Sequence, residues 1–241
     1  MTARFKKEVR GILPAWGVAL LLALLPSLLT GRDPNWAAFA CWLGLVGIAV
    51  TAFGAEISHG TLGMLLAQPV RRQDLWREKI HPLGLSLASV GFVFLLVMGL
   101  KHGSSGDKDI RSFLIGFSIL APLCAFSGGV GLTLLLRHGN AAFGLAIALP
   151  IGLVMIVEAI RAELAPNQNP GLFIITALGS YSILGCLVAR WRFLNMQDLG
   201  PVDAELSFWA EKFPRFRMSR IPSPMRSLLR KEMVLQHGAG V

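Results

Sequence analysis

Charged residues are scarce in this 241-residue chain: Asp, Glu, Lys and Arg make up 15%, against 54% hydrophobic residues. Soluble domains hold about 25% charged and roughly 45–50% apolar residues. A water-soluble core needs more polar cover than this, and the mean hydropathy of +0.59 points to a bilayer as the main solvent. Cysteine is also sparse. Cys41, Cys124 and Cys186 fall in three different apolar stretches, form no C-x-x-C pair and have no nearby histidine at metal-ligand spacing. They read as small buried hydrophobes rather than ligands or bridges. The sequence has no G-x-x-x-x-G-K-[ST], so it lacks the loop that cradles nucleotide phosphates, and it has neither H-E-x-x-H nor G-x-S-x-G. Glu56 and His59 have the spacing of a carboxylate–histidine metal pair, but no second such motif accompanies them.

What the chain does have is long charge-free runs. A helix needs about 20 apolar residues to cross the hydrocarbon core. Six runs meet that length or nearly so, at 11–29, 36–53, 82–100, 113–136, 141–158 and 171–189. Membrane-spanning strands would instead show alternating segments of about 10 residues. The predicted fold class is therefore all-α, a polytopic membrane protein of six transmembrane helices. The first run follows the basic segment MTARFKKEVR but ends in SLLTGRD, without a small-residue cleavage site. It reads as a retained span rather than a leader.

The net charge of +9 does not imply a nucleic-acid partner, because the basic residues cluster at the ends of the apolar runs and not along one groove. Of the 23 Lys and Arg, only Arg32, Lys101, Lys108, Arg111 and Arg161 fall on one side of the six spans. The others fall on the opposite side, among them Arg4, Lys6, Lys7 and Arg10, then Arg71, Arg72, Arg77 and Lys79, then Arg137 and the tail. The positive-inside rule then predicts both termini in the cytoplasm. Small residues at Ser127-Gly128-Gly129-Val130-Gly131, and Gly44, Gly47, Gly179 and Gly185, are candidates for close helix packing. Pro14, Pro26 and Pro122 are candidate kinks. Glu158 closes an apolar run and is a candidate intramembrane functional group, with Arg161 three residues on as its candidate ion partner.

The connection between the second and third runs is the most distinctive segment. Leu62, Leu65 and Leu66 share a helical face before Pro69 closes the stretch. Arg71 to Lys79 is a charged amphipathic run, expected to lie along the membrane surface. A short helix with an apolar face held below a bilayer suits docking into a partner's groove. This segment resembles that of the ABC-2 type transporter permeases, through Glu56, Gly60, Thr61, Leu62, Leu65, Leu66, Ala67, Pro69, Arg72 and Lys79. The likeness covers residues 1 to about 192, including an N-terminal segment with Lys7 and Glu8. It departs from several members of the family in the brevity of the connection from Arg161 to Pro170.

The resemblance implies a six-helix permease domain over 1–192 and a short coupling helix between spans two and three. It implies the permease subunit of an ABC-type exporter in the inner membrane of a bacterium, acting as a dimer with a second permease copy or homologous half. Residues 56–79 would couple the pathway to an ATP-binding cassette subunit, with Glu56 orienting the coupling helix and Leu62, Leu65 and Leu66 docking. The chain itself would be no enzyme and bind no cofactor; ATP and magnesium would belong to the partner subunit. Alternatives are a non-transporting membrane anchor or assembly subunit, and a membrane-embedded enzyme acting on lipid-linked substrates. The polar tail, 193–241, repeats a basic-basic-acidic pattern in Leu229-Arg230-Lys231-Glu232-Met233 after Phe5-Lys6-Lys7-Glu8-Val9; this reads either as the start of a second permease half or as two independent surface-lying basic helices.

Overall fold

Each of the six apolar runs forms one α-helix in the computed structural model, which describes residues 3–29, 34–58, 61, 70–102, 108–164 and 170–196. The helices are α1 (Ala3–Leu29), α2 (Pro34–Ser58), α3 (Arg72–His102), α4 (Lys108–Leu136), α5 (Gly139–Leu164) and α6 (Pro170–Asn195). All six are long and apolar enough to cross a membrane, and no strand occurs among the described residues. The chain is thus an all-helical, multi-pass membrane protein. The segments 62–69 and 197–241, with the expected coupling helix and tail, lie outside the described residues.

Successive helices run back and forth, so the start of α1, the end of α2, the start of α3 and the end of α6 share one end of the bundle. That end carries most of the basic residues and is called the basic end below. Helices α2 and α4 occupy the centre, with more than half of their apolar windows buried, whereas α5 and α6 are mostly exposed. Exposed Leu145, Leu149, Leu184 and Leu187 fit a lipid-facing surface.

Small residues set the central spacing. A methyl group in place of the Gly44 hydrogen would lie 2.8 Å from Ala19 Cα, drawing α1 against α2. The same substitution at Gly129 would bring a methyl 2.5 Å from Ala49 Cβ, and at Gly185 2.8 Å from Ser127 Cβ, which locks α4 to α2 and α6. In a bilayer, where apolar burial against lipid gains little, such close approach is a main source of helix association. Gly47 and Gly179, marked as packing candidates by the sequence, have open space instead.

Five prolines fall inside helices: Pro14 and Pro26 in α1, Pro82 in α3, Pro122 in α4 and Pro150 in α5. Gly91 of α3 lies against the Pro122 ring, where a side chain would collide with it. α4 and α5 are joined by Arg137 and His138 alone. Arg137 takes a left-handed conformation (φ 56°), its amide bonding Thr133 O at 3.0 Å, and His138 O receives the amide of Ala142 at 3.0 Å. This two-residue reversal closes one helix and opens the next.

The surface run expected at 71–79 is instead the first part of α3. The Arg71 carbonyl accepts the amides of Asp74 and Leu75 at 2.9 and 3.3 Å, opening the helix, and Asp74 complements its N-terminal dipole. The helix then passes through Pro82 without interruption. Its 31 residues span about 46 Å at 1.5 Å per residue, more than a hydrocarbon core of about 30 Å. The charged turns therefore project beyond the apolar zone at the basic end.

Candidate functional site

Arg72, Leu75, Trp76 and Lys79 are spaced three, four and seven residues along α3, so they share one helical face. That face turns inward. Lys79 is only 5% exposed, and its ammonium donates to Glu56 Oε1 at 2.6 Å and to Glu8 Oε1 and Oε2 at 3.3 and 3.2 Å. It also stands over the Phe53 ring, 5.4 Å from the centroid, a cation–π contact that offsets part of its desolvation. Leu75 is buried, and Trp76 packs on Phe193 and Phe53 with centroids 5.1 and 6.1 Å apart. Phe53 and Phe193 complete the group edge to face at 6.1 Å. Arg72 Nη1 donates to the carbonyl of Leu194 at 2.8 Å, capping the last turn of α6 with a cation.

These contacts tie together four helix ends: the start of α1 through Glu8, the end of α2 through Glu56 and Phe53, the start of α3, and the end of α6. One cation faces two carboxylates, so the cluster carries an excess negative charge. Glu56 Oε2 is buried and has no hydrogen-bond partner. Glu56 lies in the last turn of α2 and Lys79 two turns into α3, so the ion pair ties together the two helices on either side of the connection.

Of the residues singled out in the sequence, Glu56 and Arg72 belong to this cluster. Thr61 Oγ1 donates to Glu56 O at 3.4 Å, at the end of α2. Gly60, Leu62, Leu65, Leu66 and Pro69 lie outside the described residues. Glu158 is at the opposite end, where its Oε2 accepts from Arg161 Nε and Nη2 at 3.0 and 2.9 Å. Glu8, Trp76 and Phe193 are site residues that the sequence reading did not assign. The 72/75/76/79 spacing signals Trp76 alone, and there the charges suggested a surface helix; nothing local marks Glu8 or Phe193. Among the described residues, no cluster of three His, Cys, Asp or Glu could hold a metal.

A second feature lies away from the basic end. The halves of α2, α4, α5 and α6 remote from that end border an open recess of about 980 Å³. Trp42 and Ala38 of α2, Phe117 and Cys124 of α4, Val154 of α5 and Ile175 of α6 are among its walls. Near the basic end α5 closes on α2, where a side chain on Gly54 would come within 3.9 Å of Gly139 Cα. No protein-family model matches the chain, and no curated protein and no solved structure matches it.

Proposed function

We propose that this chain is the membrane-spanning permease subunit of an ABC-type exporter, with the basic end on the cytoplasmic side of a bacterial inner membrane. The observation that carries the reading is the convergence of Glu8, Glu56 and Lys79 on one buried ion cluster. These residues come from the N-terminal helix and from the two ends of the connection that resembles the ABC-2 coupling segment. A connection meant to pass force from a soluble partner into the bilayer needs rigid anchors on the spanning helices. The ion cluster, the aromatic group beside it and the Arg72–Leu194 bond supply such anchors at α1, α2, α3 and α6.

In this reading ATP-binding subunits grip residues 61–68 of two permease copies. Their closure on ATP and magnesium biases a packing equilibrium between the copies. The permease carries out no covalent step. Its contribution is a two-state interface and the rigid lever formed by α2 and α3.

The test is affinity purification of the tagged chain from its native membrane, with ATPase activity measured in the eluate. A co-purifying ATP-binding subunit is expected, lost on Leu65→Asp while the six-helix domain stays folded by circular dichroism. Purification without any ATPase partner would favour the anchor reading. Retention of the ATPase by Leu65→Asp would remove the docking face from 61–68.

A further inference from the structure

α1 is held unevenly along its length. Beyond Pro14 it is seated on the bundle: Trp16 Nε1 donates to Ser89 Oγ of α3 at 2.8 Å, Ala19 meets Gly44 at backbone contact, and Ala19 and Ala23 are fully buried. Before Pro14 the seat is slight. From Lys7 to Leu13 only Glu8 and Ile12 turn inward, while Lys7, Val9, Arg10, Gly11 and Leu13 are exposed. The Phe53–Trp76–Phe193 group takes no ring from α1. Of the four helix ends joined at the basic end, that of α1 is therefore the one held, among the described residues, by ions without aromatic packing. Pro14 divides the two parts. It has no amide hydrogen, which leaves the carbonyl of Arg10 without its helical donor, and helices bend most readily at such a place.

The ion cluster is also not saturated. Lys79 gives Glu56 Oε1 a short bond of 2.6 Å, and gives Glu8 Oε1 and Oε2 two long ones of 3.3 and 3.2 Å. Glu56 Oε2 is buried without a hydrogen-bond partner among the described residues, and an unmet buried acceptor is costly. When Glu8 withdraws, the ammonium can turn to Glu56 Oε2, while the Glu8 carboxylate passes into water. The cation stays paired in either arrangement. The exchange thus escapes the main penalty for breaking a buried ion pair, which is the uncompensated charge left behind. We propose that the part of α1 before Pro14 is a latch, closed by Glu8 on Lys79 and opened by transfer of Lys79 to both oxygens of Glu56. Open, it carries an apolar edge in Val9 and Leu13 and a basic edge in Lys7 and Arg10, which suits the boundary between lipid and water. The latch rests on the cluster and the Pro14 joint, and stands or falls independently of the transport reading.

Substitutions of the two carboxylates should act in opposite directions, which a static brace would not produce. Spin labels are placed at Arg10 and Arg190, both exposed, in the full chain with Cys41, Cys124 and Cys186 replaced by Ala. Distances are then measured by double electron–electron resonance in lipid nanodiscs. The distribution is expected to hold a main closed peak and a minor displaced one. Glu8→Gln should raise the displaced-to-closed ratio about tenfold, the weight of one charged hydrogen bond. Glu56→Gln should lower it, because Lys79 then has Glu8 as its one charged partner in the cluster. Pro14→Ala should lower it too, by restoring the helical bond to Arg10. Labels at Arg77 and Arg190, both exposed, report on the bundle itself and should give one unchanged peak in every variant. The proposal is overturned if Glu8→Gln leaves the ratio unchanged, or if Glu56→Gln or Pro14→Ala fails to lower it. It is equally overturned if the Arg77–Arg190 distance broadens together with the Arg10–Arg190 distance, since the bundle as a whole would then be loosening.

Discussion

Replacing Lys79 by Met removes the cation from between Glu8 and Glu56 and leaves two carboxylates sharing a mostly buried site. Breaking a buried ion pair by removing one partner costs about 3–5 kcal/mol, chiefly because the remaining charge is uncompensated. Here the two carboxylates retain 17% and 19% exposure, so some water reaches them. The expected loss is therefore at the lower end, about 3 kcal/mol. Unfolding in mixed micelles measures it, with Trp76 emission as the local probe, since its ring lies 5.1 Å from Phe193. Glu56→Gln in the Lys79→Met background should recover part of the loss, with a coupling energy of about 1–3 kcal/mol. Glu56 lies at 2.6 Å from the ammonium and Glu8 at 3.2 Å, so Glu56 should show the larger coupling. Lys79→Met combined with Glu8→Gln and Glu56→Gln should lie within about 1 kcal/mol of wild type, because neutral replacements of buried ion pairs are often tolerated. A Lys79→Met loss under about 0.5 kcal/mol, typical of a surface change, would refute the reasoning. So would strict additivity of the Lys79 and Glu56 substitutions.

Three further outcomes follow from the packing. Gly44→Ala should force α1 from α2 and lower the unfolding midpoint in detergent by about 1–3 kcal/mol equivalent, whereas Gly47→Ala, with open space around it, should be neutral or mildly stabilising; equal effects would contradict the seam. Arg72→Ala should release the end of α6, raising amide hydrogen exchange at 190–196 by an amount corresponding to about 1.5–3 kcal/mol for a charged hydrogen bond; unchanged exchange there would show that the Leu194 contact holds nothing. Glu158→Gln should change unfolding stability by under about 1 kcal/mol, because the pair with Arg161 is partly solvated; a larger loss would make it a structural pair.

Six spans could be read from the sequence because the need for about 20 apolar residues per crossing leaves little ambiguity. The helix ends could not. α2 continues to Ser58 beyond the apolar run ending at 53, α6 to Asn195 beyond 189, and α3 begins at Arg72 ten residues before Pro82. Hydropathy marks where lipid lies, while a helix continues for as long as its residues find partners. At 72–79 those partners are Leu194, Phe53, Glu56 and Glu8, all distant in sequence. Lys79 and Glu8 are 71 positions apart, and nothing local in either reveals the other. The glycines show the same limit. Gly44 and Gly47 share a helix and a composition, yet one touches Ala19 and the other has open space. A small residue facing a neighbouring helix and one facing lipid look alike until the helices are placed.

The helices around the recess are not equally held. Gly44 against Ala19, Gly129 against Ala49 and Gly185 against Ser127 join α1, α2, α4 and α6 at backbone contact, leaving no slack between them. α5 meets the bundle differently. Ala142, Ala146 and Pro150 are its buried residues, a narrow seam repeating every fourth position, while Gly144 and Gly152 have open space. Its start is fixed by the Arg137–His138 turn and by the approach of Gly139 to Gly54. Pro150 ends the seam, and lacking an amide hydrogen it leaves the Ala146 carbonyl without its helical donor, the usual place for a helix to bend. Beyond it come Ile151, Val154 and Met155 on the recess wall, then Glu158 and Arg161. The part of α5 that borders the recess beyond Pro150 therefore has none of the close backbone approaches that Gly44, Gly129 and Gly185 make elsewhere in the bundle.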